Sequence, residues 1–471
     1  MKKRVQTKLL KKNPTKIDSA SFRDPSGFVF FEGDQPFRTI NAGYHKHYHE
    51  LMNSGLYHDL VKKNLLIQHS QIKAKSNSQT IVIKPEIIPF ISYPYEWSFS
   101  QFKDAALLTL QIQKIALTYG MTLKDASAYN IQFLNGRPVL IDTLSFEIYE
   151  DGSPWVAYKQ FCQHFLAPLV LMSKVDLRLS NLMKIYIDGI PLDLVSKLLP
   201  KSTWIDLPVL TNIHLHSAAQ QKFASSTGGV SSLSKAKKMP KIALMGLIDQ
   251  LFNSISKLKL KKQTTEWGEY YTFTNYQKRA FETKRQMVKK YLQFSKAKTV
   301  WDMGANDGEF SRVASSMLKL DTVAFDIDPI AVEKNYLQLK SKKESKILPL
   351  IMDLTNPSSG LGWNIEERKS LINRGPVDMI MALALIQHLA ISNNTPLNKV
   401  AEFFSRLGEY LIIEFVPKSD SKVKILLSTR EDIFDNYNEQ GFEDSFSTYY
   451  NILNKEKIAG SERYLYLMRK L

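Results

Sequence analysis

The chain has 471 residues, 44% of them hydrophobic and 23% charged, with 63 Lys+Arg against 46 Asp+Glu and a formal net charge of +17. That length suggests two or three folded units at roughly 150 residues each, and the composition excludes collagen-like and low-complexity chains. The basic excess would suit nucleic acid, an anionic membrane or a phosphorylated substrate, but it is unevenly spread. Met1–Lys16 alone carries Lys2, Lys3, Arg4, Lys8, Lys11, Lys12 and Lys16 and no acid. A basic surface with basic tails that keeps the chain in solution is the simpler reading.

Cys162 is the single cysteine, which excludes an intramolecular disulfide and points to a cytoplasmic protein. Between Phe161 and Phe165 it reads as a small buried hydrophobe. The basic N-terminus has no apolar stretch behind it, so a secretory signal is not expected. The longest apolar run, Phe165–Met172, is too short to span a bilayer and contains Pro168.

In chain order, Met1–Ser19 reads as a disordered basic arm and residues 20–220 as an α+β unit. Gly27 to Ile40 reads as a hairpin around Glu32-Gly33-Asp34. Tyr44–Leu66 has helical spacing interrupted by Gly55, and Thr80–Ile83 and Ile87–Tyr93 are short strands around Pro85. Ser100–Tyr119 is a helix with a serine cap and Gly120 at its end. Asn130–Phe133 and Pro138–Asp142 flank an Asn135-Gly136 turn, a strong hairpin signal. Trp155–Leu199 is mostly helical, with a break at Pro191.

Residues 221–241, with Ser225-Ser226-Thr227-Gly228-Gly229 and a lysine cluster, have no apolar period and read as a flexible linker. The helix Ile242–Leu258 is expected to open a second unit, 242–471. This unit alternates strand and helix as a parallel sheet does. Its strands are predicted at Thr299–Met303, Thr322–Asp326, Ile347–Met352, Met379–Leu383 and Tyr410–Phe415. Helices are predicted at Glu309–Leu318, Ala331–Lys340, around Glu366–Arg374 and at Leu397–Arg406. Closing strands near Ser447–Leu453 and Arg463–Met468 would complete seven.

The sharpest motif is Val300-Trp301-Asp302-Met303-Gly304-Ala305-Asn306-Asp307-Gly308-Glu309-Phe310, a strand entering a glycine turn and then a helix. Glycine lets backbone approach a ligand, and the helix start offers free N–H donors. Asp326 ends the next strand, where a carboxylate can accept from ribose hydroxyls, and Asp353 follows the third, within reach of an adenine amino group. Asp328 is the poorer ribose ligand. A dinucleotide-binding Gly-x-Gly-x-x-Gly is not satisfied between Gly304 and Gly308.

These three elements resemble those of class I S-adenosylmethionine (SAM)-dependent methyltransferases. The resemblance implies a Rossmann-like seven-stranded domain that binds SAM. Asp302, Gly304, Asn306 and Gly308 would hold the methionine part, Asp326 the ribose and Asp353 the adenine. Asn306 departs from the glycine common at its position. His388, just after the fourth strand, would be a general base near the methyl group, or else a residue capping a helix start. Glu414 is a second candidate of the same kind, and Trp267-Gly268-Glu269-Tyr270-Tyr271 with Asn275-Tyr276 would lid the pocket or pack on the sheet.

The stretches around Gly362-Trp363, Glu414-Phe415-Val416-Pro417-Lys418-Ser419-Asp420, Pro94-Tyr95-Glu96-Trp97 and Lys124-Asp125-Ala126-Ser127 resemble a two-part bacterial group. Its members are described as SAM-dependent methyltransferases, some of them as NoeA-like host-specific nodulation proteins.

In the first half, Asp125, Asn130 and Asp142 have the spacing of a protein-kinase-like catalytic loop. That resemblance implies Asp125 as acceptor of a hydroxyl proton, with Asn130 and Asp142 on Mg²⁺ and ATP as donor. No His-Arg precedes Asp125, no glycine follows Asp142 and no Gly-rich phosphate loop lies near Gly27; turn and cap roles explain Asp125 and Asn130 equally well. His45, His47 and His49 read as a solvated helix face, and His214 and His216 as neighbours on a strand that bind no metal.

The expected function is SAM-dependent methylation of a small-molecule or glycan-like acceptor. The alternatives are a bifunctional kinase-methyltransferase and a non-catalytic protein that binds through its basic surface. Nucleic acid is not expected as a partner, since no RNA-binding motif is visible.

Overall fold

The structure is a computed structural model that describes residues 16–72, 80–218, 238–260 and 278–471. Most of the basic arm, nearly all of the 221–241 linker and the aromatic cluster at 267–276 lie outside the described residues.

The first half opens with an antiparallel sheet in the order β1-β2-β3-β5-β4. Its strands are β1 (Lys16–Ile17), β2 (Val29–Glu32), β3 (Gln35–Ile40), β4 (His69–Ile72) and β5 (Ile81–Pro85). The end of the supposed arm is thus an edge strand, with Lys16 opposite Phe31. Gly33 turns the β2–β3 hairpin with φ +61°. Helices α1 (His45–Asn53) and α2 (Leu56–Lys62) are separated by Gly55 at φ +86°, which only glycine adopts without strain. The stretch Ile87–Tyr93, expected as a strand, is irregular. Pro89 cannot donate to a ladder, and Ser92 spends its N–H on Gln132 Oε1 at 2.9 Å. Besides β3, β5 pairs with β4, whose His-Ser-Gln-Ile shows no strand pattern.

Helix α3 (Phe99–Thr118) starts at a capping box in which Ser98 and Gln101 satisfy each other's backbone N–H groups. The strands β6 (Met121–Leu123), β7 (Ile131–Leu134), β8 (Arg137–Leu140) and β9 (Phe146–Ile148) form two short ladders, β6–β9 and β7–β8. The β7–β8 turn has Asn135 at φ +52° and Gly136 at +75°, as an Asn-Gly hairpin requires. Cys162 is fully buried in the helical run that follows, and burial raises its thiol to about 12. His214 and His216 lie in or next to a helical turn, Leu210–Leu215, not on a strand. Asp206 accepts the first helical N–H there, and the His214 ring sits between Ser196 Oγ (2.7 Å) and Thr203 Oγ1 (2.9 Å).

The Lys241–Lys257 helix packs along α3, burying Leu244, Ile248, Leu251 and Ile255. Lys114 pairs with Asp249 at 2.6 Å, and Lys103 Nζ donates to the carbonyls of Ser256 and Leu258. The helix expected as an extension of the second unit therefore lies against the first.

The second half is a seven-stranded sheet in the order β12-β11-β10-β13-β14-β16-β15. The strands are β10 (Thr299–Met303), β11 (Asp321–Asp326), β12 (Ile347–Ile351), β13 (Val377–Ala382), β14 (Gly408–Phe415), β15 (Tyr450–Lys457) and β16 (Tyr464–Lys470). All pairs are parallel except those made by β16, so the chain has the Rossmann-like α/β architecture with an antiparallel closing hairpin. Period-2 alternation splits the sheet's side chains. Val300, Met379, Met381 and Ile412 pack under the Lys278–Ser295 helix with Phe310 and Val313. Trp301, Val323, Phe325, Ile380 and Leu411 join the core of the first half.

The β12–β13 connection departs from the expected helix near Glu366–Arg374 and contains only single turns at Trp363–Ile365 and Ile372–Arg374. Gly362, Asn364 and Ile365 all have positive φ, which breaks helical propagation. The segment is instead docked on the first half. Arg374 pairs with buried Glu96 at 2.6 Å, Ser358 Oγ donates to the same carboxylate, and Phe90 stands edge-on to Trp301 and Phe325.

Candidate functional site

Strand order reverses between β10 and β13, which are neighbours in the sheet though far apart in sequence. Loops leaving the carboxyl ends of such strands diverge and open a crevice. A cavity of about 400 Å³ lies there. Gly304, Ala305 and Asn306 line it from β10, Asp326 and Ile327 from β11, and Met352 to Thr355 from β12. From β13 come Leu383 to Leu385 and His388.

Asp302, on the last turn of β10, is 1% exposed and accepts from Ser311 Oγ at 2.6 Å. Burial pushes its carboxyl up to about 7, against the opposing pull of Ser311 and Lys284. Asp326 ends β11, with Oδ2 accepting from Asn306 N (2.7 Å) and Oδ1 from Asp328 N (2.8 Å). Burial raises it to about 6. Each of its oxygens retains a second acceptor position, so two further donors can be met. Asp353 takes Thr355 N and Oγ1 on one oxygen, Oδ1. Asp328 does not line the cavity; it caps the Pro329–Lys342 helix through Ile330 N.

Gly304 lines the cavity at φ +79°, and Asn306 does so at φ +51°, a region asparagine tolerates. Gly308 is not among the lining residues. A Cβ there would stand 2.4 Å from Asn335 Nδ2 and 2.8 Å from Arg312 Nη1, so this glycine serves close packing of the turn. His388 lines the cavity and opens the turn His388–Ser392. Burial and Arg463 bring its imidazole down to about 4, so it is neutral at physiological pH.

Glu414 is not a lining residue. It is fully buried between Lys284 Nζ at 2.5 Å and Arg463 Nη1 at 3.1 Å, and Arg463 continues to Asp420 at 2.8 Å. Lys284 itself lines the cavity and was not anticipated. A signal existed: it lies four residues from both Ala280 and Val288, on the buried stripe of its helix. Phe281, Phe310 and Leu426 supply the remaining apolar wall.

In the first half, Asp125, Asn130 and Asp142 do come together. Asn130 hydrogen-bonds Asp125 and donates to Ser145 Oγ, which donates in turn to Asp142. Asp142 also accepts from Leu144 N and pairs with Arg38 Nη1 at 2.8 Å. The expected Mg²⁺ ligand thus already faces a guanidinium, and Asp125 serves its own turn through Ser127 N. Among the described residues no group of three or more His, Cys, Asp or Glu is placed to hold a metal, and no helix is long and apolar enough to cross a membrane.

The chain is 36% identical over 460 residues to the nodulation protein NoeA of Rhizobium meliloti (strain 1021), covering 96% of each. It belongs to the NoeA family. No protein-family model matches it. Solved structures similar to it include magnesium protoporphyrin IX methyltransferase (ChlM) from Synechocystis PCC 6803 with bound SAH, 13% identical, over 43% of this chain and 93% of that one, TM-score 0.30. The N-methyltransferase NodS from Bradyrhizobium japonicum WM9 is 10% identical over 40% of this chain and 97% of its own, TM-score 0.28. WbdD is 13% identical over 46% of each chain, TM-score 0.28. The NoeA match spans both halves of the chain.

Proposed function

We propose that this NoeA-family protein is a SAM-dependent methyltransferase whose donor site is the crevice at the ends of β10, β11 and β12. The observation that carries the reading is the convergence of Asp302, Asp326 and Asp353 on one cavity. Two of them are buried carboxyls held well above their ordinary range. Carboxylates kept in an apolar crevice without full compensation favour a ligand that brings donors and positive charge. When bound, SAM would supply an electrophilic sulfonium methyl group.

In this reading Asp302 receives the donor's ammonium group, the Gly304–Asn306 backbone closes over the methionine part, Asp326 takes the ribose hydroxyls and Asp353 the adenine amino group. His388 is too weak a base to carry a proton away efficiently at neutral pH, because a general base works best with a pKa near the working pH. As a neutral imidazole it orients the acceptor by hydrogen bonding, and in-line positioning is the main requirement of methyl transfer. The acceptor side is walled by Phe281, Leu385, Leu389 and Leu426 with Ser392 and Asn393 among them. Apolar walls with a few polar groups suit a small-molecule or glycan-like acceptor.

Calorimetric titration with SAM tests the assignment. The wild type should bind in the micromolar range, and Asp326→Ala should lose roughly tenfold or more, as expected for charge-assisted hydrogen bonds. Absence of binding at millimolar SAM, or an Asp326→Ala variant of unchanged affinity, would overturn it.

A further inference from the structure

The loop between Leu361 and Arg368 is closed by reciprocal backbone hydrogen bonds of 3.1 Å between those two residues, and its tip carries two large apolar side chains. Trp363 is 73% exposed and Ile365 71%, with Asn364 and Glu366 exposed beside them. Neither side chain adds to the core. Ile365 also holds φ +61°, a region that a β-branched residue adopts only under strain. The tip is braced from beneath: the buried Glu367 carboxylate accepts from Trp363 N at 2.6 Å and from both Nε and Nη2 of Arg23. Strain that displays apolar surface instead of burying it points to a contact made outside the chain.

The surroundings extend the patch. Arg23 ties the loop to the first half, where its guanidinium lies over the ring of exposed Phe22. Ser19 Oγ donates to Glu366 O, and Lys369 pairs with Asp18, the neighbour of exposed Ile17. Arg23 Nη1 also lies 3.8 Å from Asp188, three residues beyond exposed Ile185. Large apolar side chains from three segments of the chain thus gather around one ionic knot. Arg23, Lys184 and Lys369 stand among them, with Asp188 and Glu366 as exposed acids. The stretch joined to this face tips the balance: Met1–Lys16 carries seven cations and no acid, and Lys16 adjoins Ile17.

We propose that this face docks the protein on an anionic lipid surface, with Trp363 and Ile365 entering the headgroup region and the charge of Met1–Lys16 adding attraction. Tryptophan is favoured at that depth because its ring is amphipathic. Lasting peripheral binding takes two signals, and an apolar tip beside a basic stretch supplies both. Each lysine or arginine near such a surface strengthens the partition by about fivefold.

Flotation of the full chain with vesicles tests this, using phosphatidylcholine alone and phosphatidylcholine mixed equally with phosphatidylglycerol. Binding to the anionic vesicles should exceed binding to the neutral ones by about tenfold or more, and should fall steeply as salt is raised. Trp363→Ser together with Ile365→Ser should lose about tenfold or more of that binding with an unchanged circular dichroism spectrum. Ile365→Asn separates contact from fold. Asparagine tolerates the left-handed region, so this variant should melt later yet float less. Lys8→Glu, Lys11→Glu and Lys12→Glu together should remove most of the preference for phosphatidylglycerol. Brominated lipid should quench part of the wild-type tryptophan emission, and that part should be missing in Trp363→Phe, which should still float.

Equal binding to both vesicle types, or binding to neither, overturns the proposal. So does undiminished flotation of the Trp363→Ser, Ile365→Ser chain, which would leave charge alone as the cause. An Ile365→Asn chain that melts earlier and floats less would make that residue structural and overturn it too. A wild-type dimer in solution that the paired serine substitutions turn into a monomer would make the face a protein contact, again against the proposal.

Discussion

Asp302 and Asp326 are two carboxyls that line the crevice from inside the sheet. Both carboxyls are raised chiefly by desolvation, Asp302 to about 7 and Asp326 to about 6. The direction of the pH effect follows. In the proposed reading an ammonium group binds the ionised form of Asp302, so affinity is full above about pH 7 and falls as protonation competes below it, by up to tenfold per unit. Calorimetry from about pH 8 down to about pH 6 should show this decline together with release of a proton on binding. Asp302→Asn should bind weakly and without that slope. A flat profile in the wild type would remove Asp302 from the ammonium subsite. The acids were visible in sequence because each ends or follows a strand, while Lys284 could be read only as part of a buried stripe, its partner Glu414 lying 130 residues away.

Elements differ in how far their conformation is written locally. The strands of the second half could be read from apolar runs that stop at a polar residue, and β10 spans Thr299–Met303 as expected. The α3 helix was legible from its serine cap and its Gly120 stop. The β12–β13 connection was not legible, because Glu367 and Arg374 take their conformations from Arg23 and Glu96 of the first half. Helix Lys278–Ser295 was missed because its exposed faces carry many lysines and arginines that mask the buried stripe. Glycines separate by the same logic of local against distant demand. Gly33 and Gly308 both have positive φ, but a Cβ at Gly33 meets open space and one at Gly308 meets Asn335 and Arg312. Gly33→Ala should therefore cost about 1–2 kcal/mol, the left-handed penalty alone. Gly308→Ala should cost more, by roughly 1–3 kcal/mol for overpacking, with the two compared by urea denaturation. Equal midpoints would show that the glycine turn relaxes freely and does not fix the cavity wall.

At the scale of the molecule, the two halves share one core. A parallel crossover commonly carries a helix that covers the sheet, yet the β12–β13 connection brings none, and the first half covers that face. Phe90 meets Trp301 and Phe325, Phe133 meets Tyr336, and Gln101 donates to Pro349 O. Asp104 pairs with Lys340 and accepts from Tyr336, while Ser100 donates to Glu333. The crevice opens at the ends of strands one face of which is covered by the first half. The Glu96–Arg374 pair, with side chains 1% and 3% exposed, is the most deeply buried ionic link between the halves. Removing one member leaves the other charged and desolvated, which typically costs about 3–5 kcal/mol. Glu96→Ala should accordingly lower the melting temperature of the whole chain in one transition and weaken SAM binding, although Glu96 lies outside the cavity. Scanning calorimetry decides the point: two separate transitions in the wild type, or an Glu96→Ala effect confined to one of them, would mean that the halves fold independently and that the site does not depend on their union.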